Sequence, residues 1–406
     1  MKVLWICHYP LMYFKDKIKQ DQVSLNFKDI LQHPTTWLYY LINEIQKRND
    51  IQLYLITSFP YLKKDVKINE KNITYYFLQD NPNFNIIFGK YYTRFPRFIF
   101  KNFLLKKIEK IIWKINPDII TVHGTEFPYG LVLDKVNYPS LIWIQGVINL
   151  VIKTGSNPNL IRQRKIEDDI FRNQKYFITI KGNMEEAILE KNPRAEFFNV
   201  NYPVSELAFK LKNENMIIDS DIVFVGAVLK RKGIEDLIEA VSLIKTSYPD
   251  IRVKVVGKYD LNYMAYLNKK MNEKELTNNF KFTGLLNDHN EVLIELKKSQ
   301  IFVLPTHVDS GPRSVAESMA IGVPVISYNL DGLPAMIKNN VSGILVEKHN
   351  IEKLADAILE LLRDGVKRKK LAEEAYLFAK ENFYTPEIIN KLFDVYNSVI
   401  TKFNKV

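Results

Sequence analysis

Short apolar runs recur along this 406-residue chain, and they constrain its fold more than any other feature. The runs are rich in β-branched residues and lack polar alternation, which is typical of strands buried on both faces of a sheet. Helical stretches separate them, and strands that alternate with helices form parallel sheets. We therefore predict an α/β fold. The predicted strands are Lys2–Cys7, Ile51–Thr57, Asp118–His123, Ser140–Gln145, Asp221–Gly226, Arg252–Gly257, Ile301–Pro305 and Pro324–Ser327.

The length of the chain favours two domains, because a single domain usually holds about 100–200 residues. A polar segment broken by Pro203, from Asn199 to Glu214, separates the two sets of strands. We therefore predict one Rossmann-like domain at residues 1–203 and a second at residues 204–384. A helix predicted at residues 385–406 follows, and we expect it to pack back on the first domain.

The composition is that of a globular protein, with 47% hydrophobic and 25% charged residues. The single cysteine, Cys7, lies in an apolar run and has no partner for an internal disulfide, which favours a reducing cytoplasm. We find neither a signal peptide nor an apolar stretch of about 18 residues that could cross a membrane. The net charge of +11 favours polyanions, but charge alone does not choose among nucleotides, anionic lipid and nucleic acid.

The segment 301–327 predicts a strand, a polar loop, a helix and a second strand. Gly311 keeps the loop tight, and Arg313, Ser314 and Val315 stand where the helix begins. The first amides of a helix have no partner within it, so they point outward and favour an anionic group. We therefore expect these residues to bind an anion.

Two acidic residues flank this helix start. Asp309 lies in the loop and Glu317 lies one turn into the helix, so both can face one cleft and accept hydrogen bonds from sugar hydroxyls. A structural alternative fits the same spacing: Asp309 starts a turn, Ser314 caps the helix and Glu317 is the acid of a capping box. The spacing alone does not decide between the two interpretations.

The same segment resembles the family 4 retaining glycosyltransferases, whose hallmark is two acids separated by seven residues and then a small-Gly-x-Pro-Val-Ile turn. The chain has Asp309-Ser-Gly-Pro-Arg-Ser-Val-Ala-Glu317, followed by Ala320-Ile-Gly-Val-Pro-Val-Ile326. The second acid matches the family, and the first is Asp where the family usually has Glu. The resemblance implies that Glu317 binds the ribose hydroxyls of a nucleotide donor and that Asp309 contacts the donor sugar.

A basic loop supports this resemblance. The run Gly226-Ala-Val-Leu-Lys230-Arg231-Lys232-Gly233 stands where the family has Gly-Arg-x-x-x-x-Lys-Gly, with the arginine and the lysine on the diphosphate. The resemblance therefore assigns the diphosphate to Lys232. Alanine occupies the arginine position, and Lys230 or Arg231 is the candidate replacement. The alternative is an ordinary solvated basic turn.

Further glycines follow in the family's order, with Gly257 and Gly284 each ending an apolar run. The resemblance implies a GT-B fold, in which two Rossmann-like domains face each other across a cleft and the second domain holds the donor nucleotide. It also implies donor contacts from Gly226, Gly257 and Gly284. No cofactor and no metal are expected, because helix N-termini and basic residues neutralise the leaving diphosphate in such transferases.

Two residues of the first domain are candidates for catalysis. His123 and Gln145 each end a predicted strand, where ligands bind in open parallel sheets. The alternative for His123 is a histidine that satisfies local backbone groups. Several relatives place a functional histidine near Gln145, but an amide cannot act as a general base at neutral pH. Catalysis is therefore expected to depend on donor geometry.

Two charged stretches have both a functional and a structural interpretation. The basic amphipathic stretch from Arg94 to Ile115 fits a helix on anionic lipid, and it also fits a helix packed on the sheet, which we favour. Asp168 and Asp169 could form a metal-binding pair, but Lys165 and Glu167 beside them favour a charged helix face. We identify no cluster of metal ligands in the sequence.

Together these features predict a glycosyltransferase, and the resemblance implies that transfer retains the anomeric configuration of the sugar. It would move a sugar from a nucleotide-diphosphate sugar to a glycan or lipid-linked acceptor, in the synthesis of cell-surface polysaccharide or glycolipid. The expected location is the cytoplasm, with peripheral attachment to the inner face of the membrane left open. The alternatives are a sugar-nucleotide epimerase on the same fold and a non-catalytic nucleotide-sugar-binding subunit. Nucleic acid is not an expected partner, because the lysines are spread through helices and no recognised module is present.

Overall fold

The computed structural model describes residues 1–24, 36–60, 62–80, 97–125, 127–148, 158–180, 182–309 and 311–405. The chain divides into two compact units. The first unit holds Met1–Thr179, Met184–Val200 and Ile389–Val406, and the second holds Ile180–Asn183 and Asn201–Ile388. The short stretch Ile180–Asn183 belongs to the second unit, although it lies inside the range predicted for the first domain. The chain then returns to the first unit and leaves it again after Val200.

The first unit is built on one sheet. Its strands are β1 (Lys2–Ile6), β2 (Gln52–Phe59), β3 (Val66–Glu70), β4 (Ile73–Gln79), β5 (Ile119–His123), β6 (Ser140–Trp143), β7 (Tyr176–Thr179) and β8 (Glu196–Asn199). Their order is β3-β4-β2-β1-β5-β6-β7-β8, and β3 is antiparallel to β4 while the other neighbours are parallel. The four strands predicted in this unit are confirmed, and β3, β4, β7 and β8 add to them.

The second unit is built on a fully parallel sheet. Its strands are β9 (Ser220–Val225), β10 (Val253–Val256), β11 (Phe280–Gly284), β12 (Ser299–Leu304), β13 (Val325–Tyr328) and β14 (Ile344–Val346). Their order, β11-β10-β9-β12-β13-β14, reverses direction between β9 and β12. Ligands of such sheets bind outside the carboxyl ends of the strands at this reversal. Both units are Rossmann-like, so the predicted α/β fold with parallel sheets is confirmed.

Helices connect the strands and cover the sheets. They are α1 (Thr36–Ile45), α2 (Arg97–Ile115), α3 (Pro158–Asn173), α4 (Asn183–Leu189), α5 (Glu206–Leu211), α6 (Ile234–Ile244), α7 (Leu261–Glu273), α8 (His289–Lys297), α9 (Arg313–Ile321), α10 (Leu333–Met336), α11 (Ile351–Arg363), α12 (Gly365–Asn382) and α13 (Thr385–Phe403). In α6 the apolar residues recur at helical spacing, so that Ile234, Leu237, Ile238 and Val241 are all buried. This stripe fixes the face of α6 that packs on the sheet.

The basic helix α2 packs on the first sheet. Leu104, Ile108, Ile112 and Ile115 lie in the core of that unit, which confirms the packed interpretation of this stretch. No helix of the described residues combines the length and the apolar character needed to cross a membrane.

The C-terminal helix α13 begins in the second unit and ends in the first. The hydroxyl oxygen of Tyr396 accepts two buried hydrogen bonds at 2.8 Å, from Trp5 Nε1 on β1 and from Thr121 Oγ1 on β5. Tyr396 thus bonds to the central pair of strands in the first sheet.

Candidate active site

The loops that follow β9 and β12 meet at the carboxyl edge of the second sheet, because the two strands are neighbours. Gly233 permits the close approach of the loops. Its φ is 77°, and a Cβ there would lie 1.7 Å from the carbonyl oxygen of Pro305. The His307 amide then donates to the carbonyl oxygen of Arg231 at 2.8 Å. The two loops are therefore fixed against each other where the strand order reverses.

Lys232 and Asp309, which the sequence places on different loops, form an ion pair in the structure. Both side chains are largely buried, with 17% and 14% of their surface exposed. The Asp309 amide also donates to the carboxylate of Asp331 at 3.1 Å, which holds the loop in place. Any anion that binds Lys232 therefore has to compete with the Asp309 carboxylate.

Lys230 and Arg231 lie beside Lys232 in one short 3-10 turn. Both side chains are solvent exposed, and the neighbouring Ala227 is exposed as well. The turn therefore presents two further cations near Ala227, which stands where the resembling family has an arginine. Their contact with a donor diphosphate stays a prediction.

Glu317 is a buried carboxylate with two cationic or donor neighbours. The side chain is 3% exposed, and its Oε1 lies 2.8 Å from His289 Nε2 and 3.0 Å from Arg313 Nε. Burial alone would raise the pKa of the Glu317 carboxyl, but the charge of Arg313 and the hydrogen bond of His289 outweigh burial and lower that pKa below its usual value. The structure therefore keeps an ionised acceptor at the start of α9.

The capping-box alternative for this helix start is wrong. Helix α9 begins at Arg313, its N-cap residue is Pro312, and no side chain caps it. The expectation of an outward amide at Val315 is also wrong in this conformation, because that amide donates to the Pro312 carbonyl oxygen at 3.0 Å. The amide is taken up by the tight first turn that proline starts. The prediction for Ser314 is untested.

Gly311 precedes this helix and packs against the end of the Ile180 side chain. A Cβ at Gly311 would lie 2.7 Å from Cδ1 of Ile180. Glycine therefore lets the loop that carries Asp309 lie against a neighbouring segment of the same unit.

Three predicted glycines stand side by side at the ends of neighbouring strands. The Gly226 amide donates to Val256, at the end of β10, and the Gly257 amide donates to Gly284, both at 3.0 Å. A Cβ at Gly257 would lie 1.9 Å from the carbonyl oxygen of Gly226, so only glycine allows this approach. The structure thus brings Gly226, Gly257 and Gly284 together at the carboxyl edge, and donor contact by them stays a prediction.

In the first unit, His123 lies inside an aromatic cluster. Its ring centroid is 4.9 Å from that of Trp5 and 5.5 Å from those of Trp37 and Trp143. Neither ring nitrogen has a hydrogen-bond partner among the described residues, so the alternative of a histidine that satisfies backbone groups is wrong. Burial lowers the pKa of His123 to about 3, so the ring is neutral at physiological pH and a poor proton acceptor.

Gln145 follows β6 and is half-buried. The residue that connects the neighbouring loops is instead Glu167, which is fully buried on α3. Its carboxylate accepts hydrogen bonds from Thr125 Oγ1 at 2.6 Å and from the Ile148 amide at 3.0 Å. The expectation that Glu167 belongs to a solvated helix face is therefore wrong, because this carboxylate bridges the loops after β5 and β6.

Asp168 and Asp169 on the same helix take part in ion pairs. Asp168 pairs with Arg172 and Lys191, and Asp169 pairs with Arg172. These contacts give both carboxylates cationic neighbours from the protein itself, as the charged-face interpretation of the two residues expects.

Sequence reasoning missed His289 and a cluster formed by Asp236, His307 and His349. The ligand atoms of the cluster lie within 4.8 Å of one another, a grouping that is not evident in the sequence, and the expectation that the protein holds no metal stays untested. No spacing rule joins these residues, because Asp236 lies on α6 and the two histidines lie on two separate loops. The sequence shows only that His307 follows a predicted strand and that His349 follows an apolar run. Parallel strands place the residues that follow them at the same carboxyl edge of the sheet.

Residues 211–378, which include Lys232, Asp309 and Glu317, match the family model described as glycosyl transferases group 1. The chain is a glycosyltransferase, and its second unit is similar to group 1 of these enzymes. An uncharacterized glycosyltransferase of Methanocaldococcus jannaschii is 28% identical to this glycosyltransferase over 290 residues, which is 66% of this chain and 74% of the relative.

Two relatives with assigned names are also similar to this glycosyltransferase. The poly(glycerol-phosphate) alpha-glucosyltransferase of Bacillus subtilis is 22% identical over 61% of this chain and 36% of its own length. The capsular polysaccharide biosynthesis glycosyltransferase CapM of Staphylococcus aureus is 25% identical over 49% of this chain and 50% of its own. The chain thus spans half or less of these two relatives.

Solved structures share the fold of this glycosyltransferase. Sucrose-phosphate synthase from Thermosynechococcus elongatus superposes with a TM-score of 0.69, at 18% identity and 99% coverage of both chains. HepE of Anabaena, solved in complex with UDP, superposes with a TM-score of 0.66, at 14% identity, and covers 98% of this chain and 100% of its own. At these identities the likeness concerns the fold alone, and the predicted GT-B class is confirmed.

Proposed function

We propose that this glycosyltransferase is a retaining enzyme of the family 4 type that uses a nucleoside-diphosphate sugar as donor. The acceptor would be a glycan or a lipid-linked glycan in the synthesis of polysaccharide or glycolipid. The single observation that carries the proposal is the buried, ionised Glu317 at the carboxyl edge of the second sheet. A buried carboxylate of this kind accepts hydrogen bonds strongly, and the two ribose hydroxyls of a nucleotide are matching donors.

The Lys232–Asp309 ion pair would change partners when the donor binds. A diphosphate carries more negative charge than Asp309, so it would displace the carboxylate from Lys232. The freed carboxylate of Asp309 would then accept hydrogen bonds from the hydroxyls of the donor sugar. Lys230 and Arg231 would add positive charge beside the diphosphate.

The transfer step in this proposal needs no protein base. His123 is neutral with a pKa of about 3, and an amide such as Gln145 does not take up a proton near neutral pH. The bond between the anomeric carbon and the diphosphate oxygen breaks, and the bond to the acceptor oxygen forms on the same face of the sugar. The acceptor proton passes to the departing diphosphate oxygen. Cationic side chains would stabilise that oxygen, so we propose no metal cofactor for this step.

The proposed acceptor class is supported by the relatives and by charge. The names of two relatives specify poly(glycerol-phosphate) and capsular polysaccharide. The net charge of +11 favours acceptors that carry phosphate or other acidic groups. We therefore propose an acidic polymer or a lipid-linked glycan as the acceptor, recognised by the first unit.

Thermal unfolding with a panel of nucleoside diphosphates tests the donor site. A ligand present at a hundred times its dissociation constant adds about 2.7 kcal/mol, which is worth roughly 5–10 °C for a unit of this size. One nucleotide class should raise the melting temperature of the wild type, and Glu317→Ala should abolish the rise. The control is Glu352→Ala, an exposed glutamate of α11 in the same unit. If no diphosphate raises the melting temperature, the proposed donor is wrong.

A second candidate property, attachment to the inner face of the membrane, is supported by α2. The side of this helix that faces away from the core exposes Phe103, Lys106, Lys110, Trp113 and Lys114. Exposed aromatic rings between lysines favour anionic lipid surfaces. The wild type should float with phosphatidylserine vesicles to the top of a density gradient. A variant with Lys106→Glu and Lys110→Glu should remain in the bottom fraction. Equal flotation of both proteins would contradict membrane binding through α2.

A further inference from the structure

A second group of ionisable side chains lies at the carboxyl edge of the second sheet, beside the proposed donor residues. Asp236 lies in the first turn of α6, His307 in the loop after β12 and His349 in the loop after β14. His307 Nε2 is 3.0 Å and His349 Nδ1 is 3.3 Å from Oδ2 of Asp236. The three ligand atoms therefore lie close together.

The spacing of these atoms fits the coordination shell of a metal ion. Zinc binds imidazole nitrogen and carboxylate oxygen at about 2.0–2.1 Å in a tetrahedron, which places neighbouring ligand atoms about 3.3 Å apart. Two of the three separations already have this size, and all three ligand atoms lie within 4.8 Å of one another. The His349 side chain is 57% exposed, so its ring can turn toward the other two without disturbing the core.

The surrounding structure holds two of the three groups in place. The Tyr328 hydroxyl donates to Oδ2 of Asp236 at 2.7 Å, and the side chains of Asp236 and His307 are only 13% and 17% exposed. The backbone of His349 has a φ of 63°, a conformation that a residue with a side chain rarely adopts. A hydrogen bond that orients a ligating carboxylate, as the Tyr328 hydroxyl does for Asp236, is usual around metal sites.

We propose that Asp236, His307 and His349 bind one divalent transition-metal ion, with Zn²⁺ as the best match. Two imidazoles and one carboxylate suit Zn²⁺ and its neighbours, whereas Mg²⁺ and Ca²⁺ prefer oxygen ligands. Three protein ligands leave the fourth position of the ion to water. His307 shares its loop with Asp309, and Asp236 follows Lys232 by four residues, so the ion would hold both loops of the proposed donor site in place from outside that site.

Metal titration of the tag-free, chelator-treated protein tests this site. Calorimetry should show one equivalent of Zn²⁺ bound per chain, and Co²⁺ should give the visible absorption of an ion held by imidazole. His349→Ala should weaken Zn²⁺ binding at least about ten-fold, which corresponds to about 1.4 kcal/mol. His349 is exposed, so this variant should fold. The matched control is Lys348→Ala, an exposed neighbour in the same loop, which should bind as the wild type does.

Thermal stability gives a second reading that does not depend on activity. Zn²⁺ should raise the melting temperature of the wild type and of Lys348→Ala but not of His349→Ala, and EDTA should reverse the rise. The proposal is wrong if no stoichiometric Zn²⁺ binds, if all variants bind alike, or if Mg²⁺ binds as well as Zn²⁺. Glu317→Ala should still bind Zn²⁺, so failure of the metal site and failure of the donor site are distinguishable.

Discussion

Asp309→Asn should tighten the binding of a free nucleoside diphosphate, although it removes a residue proposed to hold the donor sugar. The carboxylate of Asp309 pairs with Lys232, so a diphosphate has to break that pair before it gains the lysine. Asparagine cannot form the ion pair, and the cost of breaking it disappears. The nucleotide-sugar should benefit less, because its sugar hydroxyls lose the carboxylate that Asp309 would offer them.

The size of the effect follows from the partial burial of the pair. Two unit charges about 4 Å apart interact by roughly 4 kcal/mol at the effective dielectric constant of a protein surface. Desolvation and the remaining solvent contact of both side chains reduce this value, and a hydrogen bond to a charged group contributes about 1.5–3 kcal/mol. We therefore expect a net gain of about 1–2 kcal/mol, which corresponds to roughly 5- to 30-fold tighter binding of the diphosphate.

Calorimetry with the diphosphate identified in the nucleotide panel measures this gain. Asp356→Asn is the control, because it changes the net charge equally at an exposed position of the same unit. In a Lys232→Ala background the Asp309→Asn substitution should bring no gain, since the pair is already gone. The reasoning is refuted if Asp309→Asn leaves the affinity unchanged, if Asp356→Asn gives the same increase, or if the gain persists without Lys232.

Three further predictions concern stability, each measured by urea unfolding. Folding lowers the pKa of the Glu317 carboxyl below its ordinary value of about 4.5, so this group contributes stability above about pH 4.5 that is lost as the pH falls through the folded pKa. The wild type should therefore lose stability more steeply than Glu317→Gln below about pH 4.5. Gly233→Ala should destabilise the second unit by more than about 1–2 kcal/mol, because it adds a clash with Pro305 to the left-handed backbone; equal stability would contradict this. Tyr396→Phe should cost about 2–4 kcal/mol, since two buried donors lose their acceptor, whereas a cost below about 0.5 kcal/mol would be inconsistent with those bonds.

The sequence predicts most of the strands because a strand buried on both faces needs an uninterrupted apolar run. The antiparallel edge strand β3 does not follow this rule. In β3, Val66–Glu70, intermediate and exposed residues alternate, so the strand has polar residues between apolar ones. An edge strand with one solvated face cannot be found by a search for buried runs.

The proposed donor residues could be grouped from the sequence where the chain itself holds them together. Asp309 and Glu317 lie on one loop and the helix that follows it, so their spacing carries information. The partners of Glu317 show the limit, because Arg313 is one helical turn away in the same helix whereas His289 comes from α8. The order of strands in the sheet decides such meetings, and it is a property of the whole domain rather than of any segment.

Glu167 shows a different limit. Its neighbours Lys165, Asp168 and Asp169 are charged, and local composition therefore favours a solvated face. The structure instead buries Glu167 completely, where Thr125 and the Ile148 amide satisfy its oxygens. A buried charge depends on partners that lie elsewhere in the sequence, so residues next to it give no signal.

The bonds of Tyr396 to Trp5 and Thr121 also bear on the order in which the chain can fold as it leaves the ribosome. Trp5 precedes Tyr396 by 391 residues, so its buried indole nitrogen has to wait for a residue translated after the whole second sheet. The second unit, by contrast, is nearly continuous in sequence. During synthesis the first sheet would therefore expose the strip that α13 later covers, and a chaperone that binds nascent chains should find its target there.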